Sequence, residues 1–463
     1  MNGHPISGNY DAFKMNVAIV HVINPGNKST ASKDLNGGFG TRDHYGNSFT
    51  SKILMRVKKK GVRLPVIGLA FLQAILKERG SHVRYFEESL PTSDEKFDLI
   101  LVYGSIVDYA YENKIAESLR VSFPNAKLGF IGPFPSQCPG LFPNADFIFI
   151  GEPEAFFMND FTGLGQLHGK VKVTSLTDME ALPSPDYDGF PISKYNYRPL
   201  INKSPFLVLQ ASKGCPYSCR FYCVYGEAQG PKIRQRSTKK VVDDIELLQK
   251  KYKIRGIQFR DPLFGVNKNF ISAFVKELKQ RQVKIVWGME TRLDLLSEEN
   301  LSSMYEVGLR NINVGIETFD TDIAKSNRRL LVAETHQDKI IAFCKKKGIN
   351  VSAFYVLAME GDTMKTMENT LQHAIQLNTI TARFSISTPY PGTGFFQQLK
   401  MDNRLLTENF ESYDQFTLVY KQQNLNPAQV NSFMDRAYRK YYFRPSYIFM
   451  LAKWWVRSFL SRS

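Results

Sequence analysis

The sequence predicts an α/β protein: an N-terminal Rossmann-like doubly wound domain, then a partial α/β barrel, then a helical C-terminal region. Three observations carry this. Short aliphatic runs alternate with amphipathic helical stretches up to about residue 150, the alternation resumes at Phe206 for six further strands, and strand signals stop near residue 403. A chain of 463 residues has room for several domains, each with its own core.

Met15–Val22 is a β-branched run that reads as a buried strand. Asn24 to Arg56, rich in Gly, Asn, Ser and Thr, reads as a long loop. Pro65–Lys77 has apolar residues at helical spacing and stops at Gly80. Strands follow at His82–Glu87, Asp98–Tyr103, Lys127–Ile131 and Asp146–Ile150, with a helix over Tyr109–Val121. A doubly wound sheet binds ligands beyond the carboxyl ends of its strands. That makes candidate ligand loops of Gly104-Ser105, Gly132-Pro133 and Gly151-Glu152, although glycine there also serves simply to turn the chain. The domain is expected to span 1–172. Residues 173–203, with Pro183, Pro185, Pro191 and Pro199, form an extended linker because proline denies a sheet donor and restricts its predecessor.

The second domain, 204–398, has strand candidates at Phe206–Gln210, Gly256–Arg260, Ile285–Glu290, Asn311–Ile316, Asn350–Leu357 and Thr381–Ser387. Helices such as Thr238–Lys251 and Phe270–Arg281 lie between them. Sites in such barrels sit on the loops after the strands. The loop after the first strand holds three of the five cysteines, Cys215, Cys219 and Cys223. Three soft thiolates in one loop point to a metal centre, zinc or iron–sulfur; three separately buried cysteines is the plain alternative. A disulfide framework does not suit a long, cysteine-poor chain. Cys344 sits in a helical pattern and is expected to pack as a small apolar residue, while Cys138 lies in a candidate ligand loop. The histidines show no metal-pair spacing, and no G-x-S-x-G elbow supports a hydrolase.

Gly214-Cys-Pro-Tyr-Ser-Cys219, Cys223-Val-Tyr-Gly226, Phe259-Arg-Asp261, Trp287-Gly-Met-Glu-Thr-Arg292, Gly315-Ile-Glu317 and Thr388-Pro-Tyr-Pro-Gly392 occur in the order of a known family. The segment from about residue 60 to 395 resembles the radical S-adenosylmethionine (SAM) enzymes, in the branch with an N-terminal cobalamin-binding-like domain. One departure is plain: the family spacing is C-x3-C-x2-C, and this chain reads C-x3-C-x3-C, with Tyr222 added. The resemblance implies a [4Fe-4S] cluster on the three cysteines, with an open iron for S-adenosyl-L-methionine. It also implies contacts to that cofactor from Phe221 (with Tyr222 competing), Asp261, Glu290, Arg292, Glu317 and Tyr390. Gly104, Ser105, Gly132, Pro133, Gly151 and Glu152 would then border cobalamin. The D-x-H-x-x-G histidine signature is absent, so no histidine from that motif would ligate it.

The activity implied is C-methylation at an unactivated carbon through a 5′-deoxyadenosyl radical. Radical cyclisation, ring contraction or carbon–carbon coupling is the alternative among enzymes, and a non-catalytic iron–sulfur protein is the alternative outside them. A low-potential donor such as flavodoxin or ferredoxin is the expected electron source. The formal charge of +16 favours an anionic partner, yet no added nucleic-acid-binding domain is evident. Few cysteines, no hydrophobic N-terminal signal and no apolar run of spanning length suggest a cytoplasmic protein. The region 399–463 is basic and aromatic: residues 436–463 carry seven Arg or Lys and no Asp or Glu, interleaved with Phe449, Trp454, Trp455 and Phe459. That pattern suits peripheral contact with anionic membrane and would fit a lipid-like substrate as well as a small-molecule one; a helix packed on the barrel with a solvated basic side explains it equally.

Overall fold

The computed structural model describes residues 14–25 and 31–460, with the backbone alone for residues 31, 220 and 453–460. Along the chain, the strands of the two large sheets are β1 (Asn16–Val20), β2 (His82–Phe86), β3 (Leu99–Tyr103), β4 (Lys127–Ile131), β5 (Phe147–Ile150) and β6 (Gly169–Lys172), then β7 (Phe206–Leu209), β8 (Gly256–Phe259), β9 (Val286–Thr291), β10 (Leu309–Glu317), β11 (Asn350–Leu357) and β12 (Thr381–Ile386). The helices used below are α1 (Phe49–Gly61), α2 (Ile67–Glu78), α3 (Tyr109–Ser122), α4 (Thr238–Tyr252), α5 (Lys268–Gln280), α6 (Glu334–Lys347), α7 (Met364–Leu377), α8 (Gly394–Met401), α9 (Pro427–Tyr442) and α10 (Pro445–Leu460).

Packing divides the chain into two units. The first comprises residues 1–27, 33–40 and 66–191; the second comprises 28–32, 41–65 and 192–463. Segment 41–65 therefore packs with the second unit although it precedes most of the first in sequence.

The first unit is built on a six-stranded sheet of order β2-β1-β3-β4-β5-β6. All its neighbours are parallel. β3 reads Leu-Ile-Leu-Val-Tyr and is buried along its whole length, as a parallel strand covered on both faces must be. α2 buries every side chain from Leu69 to Leu76. The chain passes from β1 to β2 on one side and then to β3 on the other, so the topological switch lies between β1 and β3. β6, Gly-Lys-Val-Lys, is an edge strand with one buried side chain; too little apolar periodicity marks it in the sequence.

The second unit holds a sheet of order β7-β8-β9-β10-β11-β12, each strand pairing in parallel with the next in sequence. Successive crossovers in one direction wind the sheet into a half barrel. α4 starts at Ser237, whose side chain accepts from the Lys240 N–H, and ends at Lys253 in the left-handed conformation. α7 starts with a reciprocal Thr363–Thr366 capping box.

The free edge of β12 is closed by phenol groups. The Tyr442 hydroxyl accepts from the Ala382 N–H and donates to the Ala382 carbonyl, both at 2.9 Å. Tyr438 does the same for Phe384, at 3.2 and 2.8 Å. Tyr441 donates to the Thr379 carbonyl at 2.7 Å, and Tyr447 to that of Ile380 at 2.8 Å. The match is metric: four residues of helix advance about 6 Å, and two residues of strand about 6.6 Å. Tyr438 and Tyr442, one turn apart, thus meet alternate strand residues, running antiparallel. Much of the aromatic character of the C-terminal region serves this edge.

The expected loop from Asn24 to Arg56 is corrected at its end. α1 begins at Phe49, capped by the Ser48 hydroxyl, which accepts from the Ser51 N–H at 3.2 Å. The Gly/Asn-rich composition before it masked the helical run Lys52–Lys60. The expected helical character after residue 403 appears as α9 and α10. The side chains of Lys453, Trp454, Trp455, Arg457 and Phe459, and residue Arg462, lie outside what is described. Among the described residues no helix is long and apolar enough to cross a membrane.

Candidate functional site

The cysteine loop leaves the half barrel directly after β7. Ser212–Lys213 pairs antiparallel with Arg234–Gln235 at its base, and the Cys215 N–H donates to the Gly230 carbonyl at 3.1 Å. Cys215 and Cys223 are half-buried and Cys219 is buried. The added residue is absorbed as helix: the Cys223 N–H donates to the Cys219 carbonyl at 2.9 Å, an i to i+4 bond. One full turn returns both side chains to the same face. The C-x3-C spacing therefore keeps Cys219 and Cys223 together despite Tyr222.

Charge on this loop is managed by Arg329, which follows β10. Its Nη1 lies 3.9 Å from Cys219 Sγ, and its Nη2 donates to the Gly315 carbonyl at 2.8 Å and sits 3.6 Å from Glu317 Oε1. Burial opposes the Arg329 charge, but Glu317 and then Tyr222 and Cys219 raise its pKa above the ordinary arginine value. A hydrogen bond from the Cys223 thiol lowers the Cys219 pKa to about 6, and Arg329 adds to this against the opposing effect of burial. Cys223 is raised by the same shared hydrogen bond and by burial; burial raises Cys215. Gly315 makes room for the ion pair, since a Cβ there would stand 2.4 Å from Glu317 Oε1. Glu317 itself has a φ of 73° beside a register shift in β10, a backbone state that costs an L-residue free energy and that clusters at functional sites.

Among the described residues no group of three His, Cys, Asp or Glu converges on a single metal ion. The three thiols share one loop, with Cys219 and Cys223 hydrogen-bonded to each other and Arg329 beside Cys219. Three cysteine thiolates beside a cation suit an anionic iron–sulfur cluster, whose irons each take one cysteine; a structural zinc ion would ask for a fourth ligand.

Polar side chains line the barrel beneath. Asn311 Nδ2 donates to Gln258 Oε1 at 3.1 Å and to Asn313 Oδ1 at 3.0 Å. Asn313 Nδ2 donates to the Tyr197 hydroxyl at 2.7 Å and to Glu290 Oε1 at 3.3 Å. Glu290 also takes Arg260 Nη1, and its other oxygen lies 3.4 Å from the Tyr225 hydroxyl, just past the third cysteine. Arg292 forks onto Asp294 at 2.9 and 3.0 Å, donates to the Leu330 carbonyl at 3.1 Å, and lies 4.4 Å over the Tyr217 ring. Its Nη1, the Arg329 Nε and the Tyr222 hydroxyl are buried without a hydrogen-bond partner, donors left for a ligand to satisfy. A zwitterion with a ribose fits this donor and acceptor set.

The other residues expected at the cofactor also have protein partners. Asp261 accepts from the Ala211 N–H at 2.9 Å and from the Ser212 hydroxyl at 2.6 Å, one bond to each oxygen. It braces the turn entering the cysteine loop, and burial raises its pKa to about 7. Phe221 lies under the Arg328 guanidinium at 4.5 Å and beside Phe395 at 5.7 Å. Tyr390 is buried, and its carbonyl receives the Thr393 N–H and hydroxyl that start α8. Cys344 is fully buried on α6. Arg260, Asn313 and Arg329 were not singled out by the sequence. The available signal was polar residues at alternate positions in otherwise apolar strands, as in Gln258-Phe-Arg260 and Asn311-Ile-Asn313.

In the first unit, Gly104, Gly132 and Gly151 end the adjacent strands β3, β4 and β5. Each is closely packed: a Cβ would stand 2.3 Å from the Pro135 ring at Gly104, 2.9 Å from the Gly104 carbonyl at Gly132 and 2.8 Å from Val173 at Gly151, so the strand ends admit no side chain there. Ser105 and Glu152, next to two of these glycines, are buried and hydrogen-bonded. Ser105 donates through N–H and hydroxyl to Glu112 at 2.8 and 2.7 Å, and Glu152 accepts from the Leu176 N–H at 2.8 Å. At the switch point, buried Lys33 donates to the Val22 carbonyl at 2.7 Å and to Glu112 at 2.6 Å. Pro133 is half-buried beside Gly132.

The chain is similar to several known proteins. Residues 209–374 match the Radical SAM superfamily. An uncharacterized methyltransferase of Pyrococcus horikoshii is 26% identical over 419 residues, covering 83% of this chain and 89% of that protein. A hopanoid C-2 methylase of Rhodopseudomonas palustris is 26% identical over 403 residues, 81% of this chain and 71% of that one. The radical S-adenosylmethionine methyltransferase TsrM of Kitasatospora setae, solved with cobalamin and a [4Fe-4S] cluster, superposes with a TM-score of 0.61 over 84% of this chain and 78% of that one, at 13% identity. Residues 209–374 thus carry a match to the Radical SAM superfamily, in a chain whose fold is similar to that of TsrM.

Proposed function

We propose that the chain is a cobalamin-dependent radical SAM C-methyltransferase acting on an unactivated carbon. The observation that carries this is the three-thiol loop on the first barrel strand, braced by Asp261 and charge-balanced by Arg329. It stands in a chain whose first unit ends three adjacent strands in glycine. The bound cluster, S-adenosyl-L-methionine and cobalamin supply reductive sulfonium cleavage and the methyl group. Cys215, Cys219 and Cys223 hold the cluster. Glu290 and Glu317 accept from ammonium or ribose, Arg292 Nη1 donates to the carboxylate, and Phe221 and Tyr390 border the adenine. Gly104, Gly132, Pro133 and Gly151 border the corrin, with Ser105 and Glu152 behind them. The substrate is a small or a lipid-like molecule, the latter in keeping with the relative named for hopanoid. Electrons come from a flavodoxin- or ferredoxin-type donor, and α10 rests peripherally on anionic membrane.

The test is anaerobic reconstitution with iron, sulfide and hydroxocobalamin, followed by iron analysis, the corrin spectrum and mass spectrometry of 5′-deoxyadenosine. Cys215→Ala, Cys219→Ala and Cys223→Ala each lose cluster and cleavage, whereas Cys344→Ala keeps both. Full iron content in Cys223→Ala overturns the ligand set. Absence of retained corrin removes methyl transfer and leaves radical chemistry without net methylation.

A further inference from the structure

α1 carries Lys52, Arg56, Lys58, Lys59 and Lys60 and no acidic residue. Lys58 turns inward, 2.5 Å from buried Asp43 and over the Tyr45 ring. The inward face, with Ser51, Leu54 and Met55, belongs to the packed side of the unit, where α1 meets α9. Opposite it lie Phe49, Lys52, Arg56, Val57 and Lys60, at helical spacing and all exposed, with Lys59 beside them. Phe49 is 76% exposed and Val57 63%. Among the described residues no carboxylate pairs with Lys52, Arg56, Lys59 or Lys60.

Uncompensated positive charge of this density, with an aromatic and an aliphatic side chain standing free between the charges, is the pattern of a helix lying in a bilayer interface. Water alone explains the lysines but not the bare phenylalanine. A nucleic acid would use the charge and stack on Phe49, yet has no use for Val57. α10, which also packs on α9, exposes Ile448 and Phe449 at 54% and 62%.

We propose that the outer face of α1 is a docking surface for anionic lipid headgroups, with Phe49 and Val57 entering the headgroup boundary. This deepens the membrane contact assigned above to α10 and assigns it a second element at the opposite end of the sequence. It is independent of the methyl-transfer chemistry. Each basic residue near an anionic bilayer contributes about fivefold in binding, so three charge reversals remove stable association.

The test is co-sedimentation of the full-length reconstituted protein with phosphatidylcholine vesicles, with or without phosphatidylglycerol, at low and high salt. The intact protein pellets only with phosphatidylglycerol, and salt releases it. Lys52→Glu/Arg56→Glu/Lys60→Glu stays in the supernatant while keeping its cluster absorbance, and Phe49→Ser/Val57→Ser weakens binding without changing its salt dependence. Loss of binding on deletion of 446–463 but not on charge reversal in α1 overturns the α1 surface and leaves the α10 contact. Failure of the intact protein to pellet overturns both, and displacement from vesicles by polyuridylate overturns lipid in favour of RNA. None of these outcomes touches the corrin and 5′-deoxyadenosine measurements that decide the methyltransferase reading.

Discussion

At the centre of the first sheet, β3 buries Leu99, Ile100, Leu101 and Val102 in succession. At the corresponding place in the second sheet the side chains are Gln258, Asn311, Asn313 and Glu290, tied to one another by hydrogen bonds. Both sheets are parallel and six-stranded, so strand number does not explain the contrast. Winding does. A sheet that reverses direction places helices on both faces, leaves nothing polar inside, and meets its ligand beyond the strand ends. A sheet that keeps one direction curls, and its concave face becomes the wall of a chamber. A polar wall in a parallel sheet therefore marks the surface where chemistry takes place.

The comparison breaks most sharply if polarity is exchanged. Leu101→Asn places an unpaired amide in the first sheet and costs roughly 2–7 kcal/mol. Asn311→Leu leaves Gln258 and Asn313 short of partners and costs about 1–3 kcal/mol. Urea titrations of the full chain measure both, and equal costs would mean that the two interiors do not differ. Next in size is Arg329→Gln, which removes the cation beside Cys219. Loss of such a supporting partner lowers cluster retention about 10–100-fold, read as iron bound after gel filtration, and Arg329→Lys restores part of it.

Some of the contrast was legible in the sequence. The apolar runs of β1 to β5 and the barrel strands stand where periodicity places them, and the cysteine loop follows the first barrel strand as expected. What was not legible depends on distant pairing. Arg329 meets Cys219 across 110 residues, and no local pattern distinguishes it from Arg328. Nothing in the sequence near Asp261 shows that the Ala211 N–H and the Ser212 hydroxyl stand on its two oxygens. The phenol groups of α9 look like ordinary core aromatics because their partners are backbone atoms of another element.

A smaller effect tests that edge. Tyr442→Phe deprives Ala382 of both hydrogen bonds at once, a loss of about 1–3 kcal/mol, with faster amide exchange at Ala382 than at the central strands. A last test concerns pH. Between the ordinary carboxylate range near 4 and the folded value of about 7, folded Asp261 holds a proton that the unfolded chain has released. Unfolding releases it, so this group's contribution to stability is full below pH 4, declines as pH rises through 7, and is flat above. Asp261→Asn should abolish that slope in the pH dependence of urea midpoints; an unchanged slope would place its cause elsewhere.

The row of phenols on α9 also governs how this protein behaves while it is being made. Until the ribosome has released residues 427–442, β12 offers alternate N–H and carbonyl groups to any passing extended chain, including a second nascent copy. A chain shortened before Asn426 would keep every cysteine and every residue of the polar wall and still be an adhesive, assembling edge to edge. The last helices thus act as a built-in chaperone for the barrel, and soluble yield on truncation should collapse at that boundary before any catalytic residue is lost.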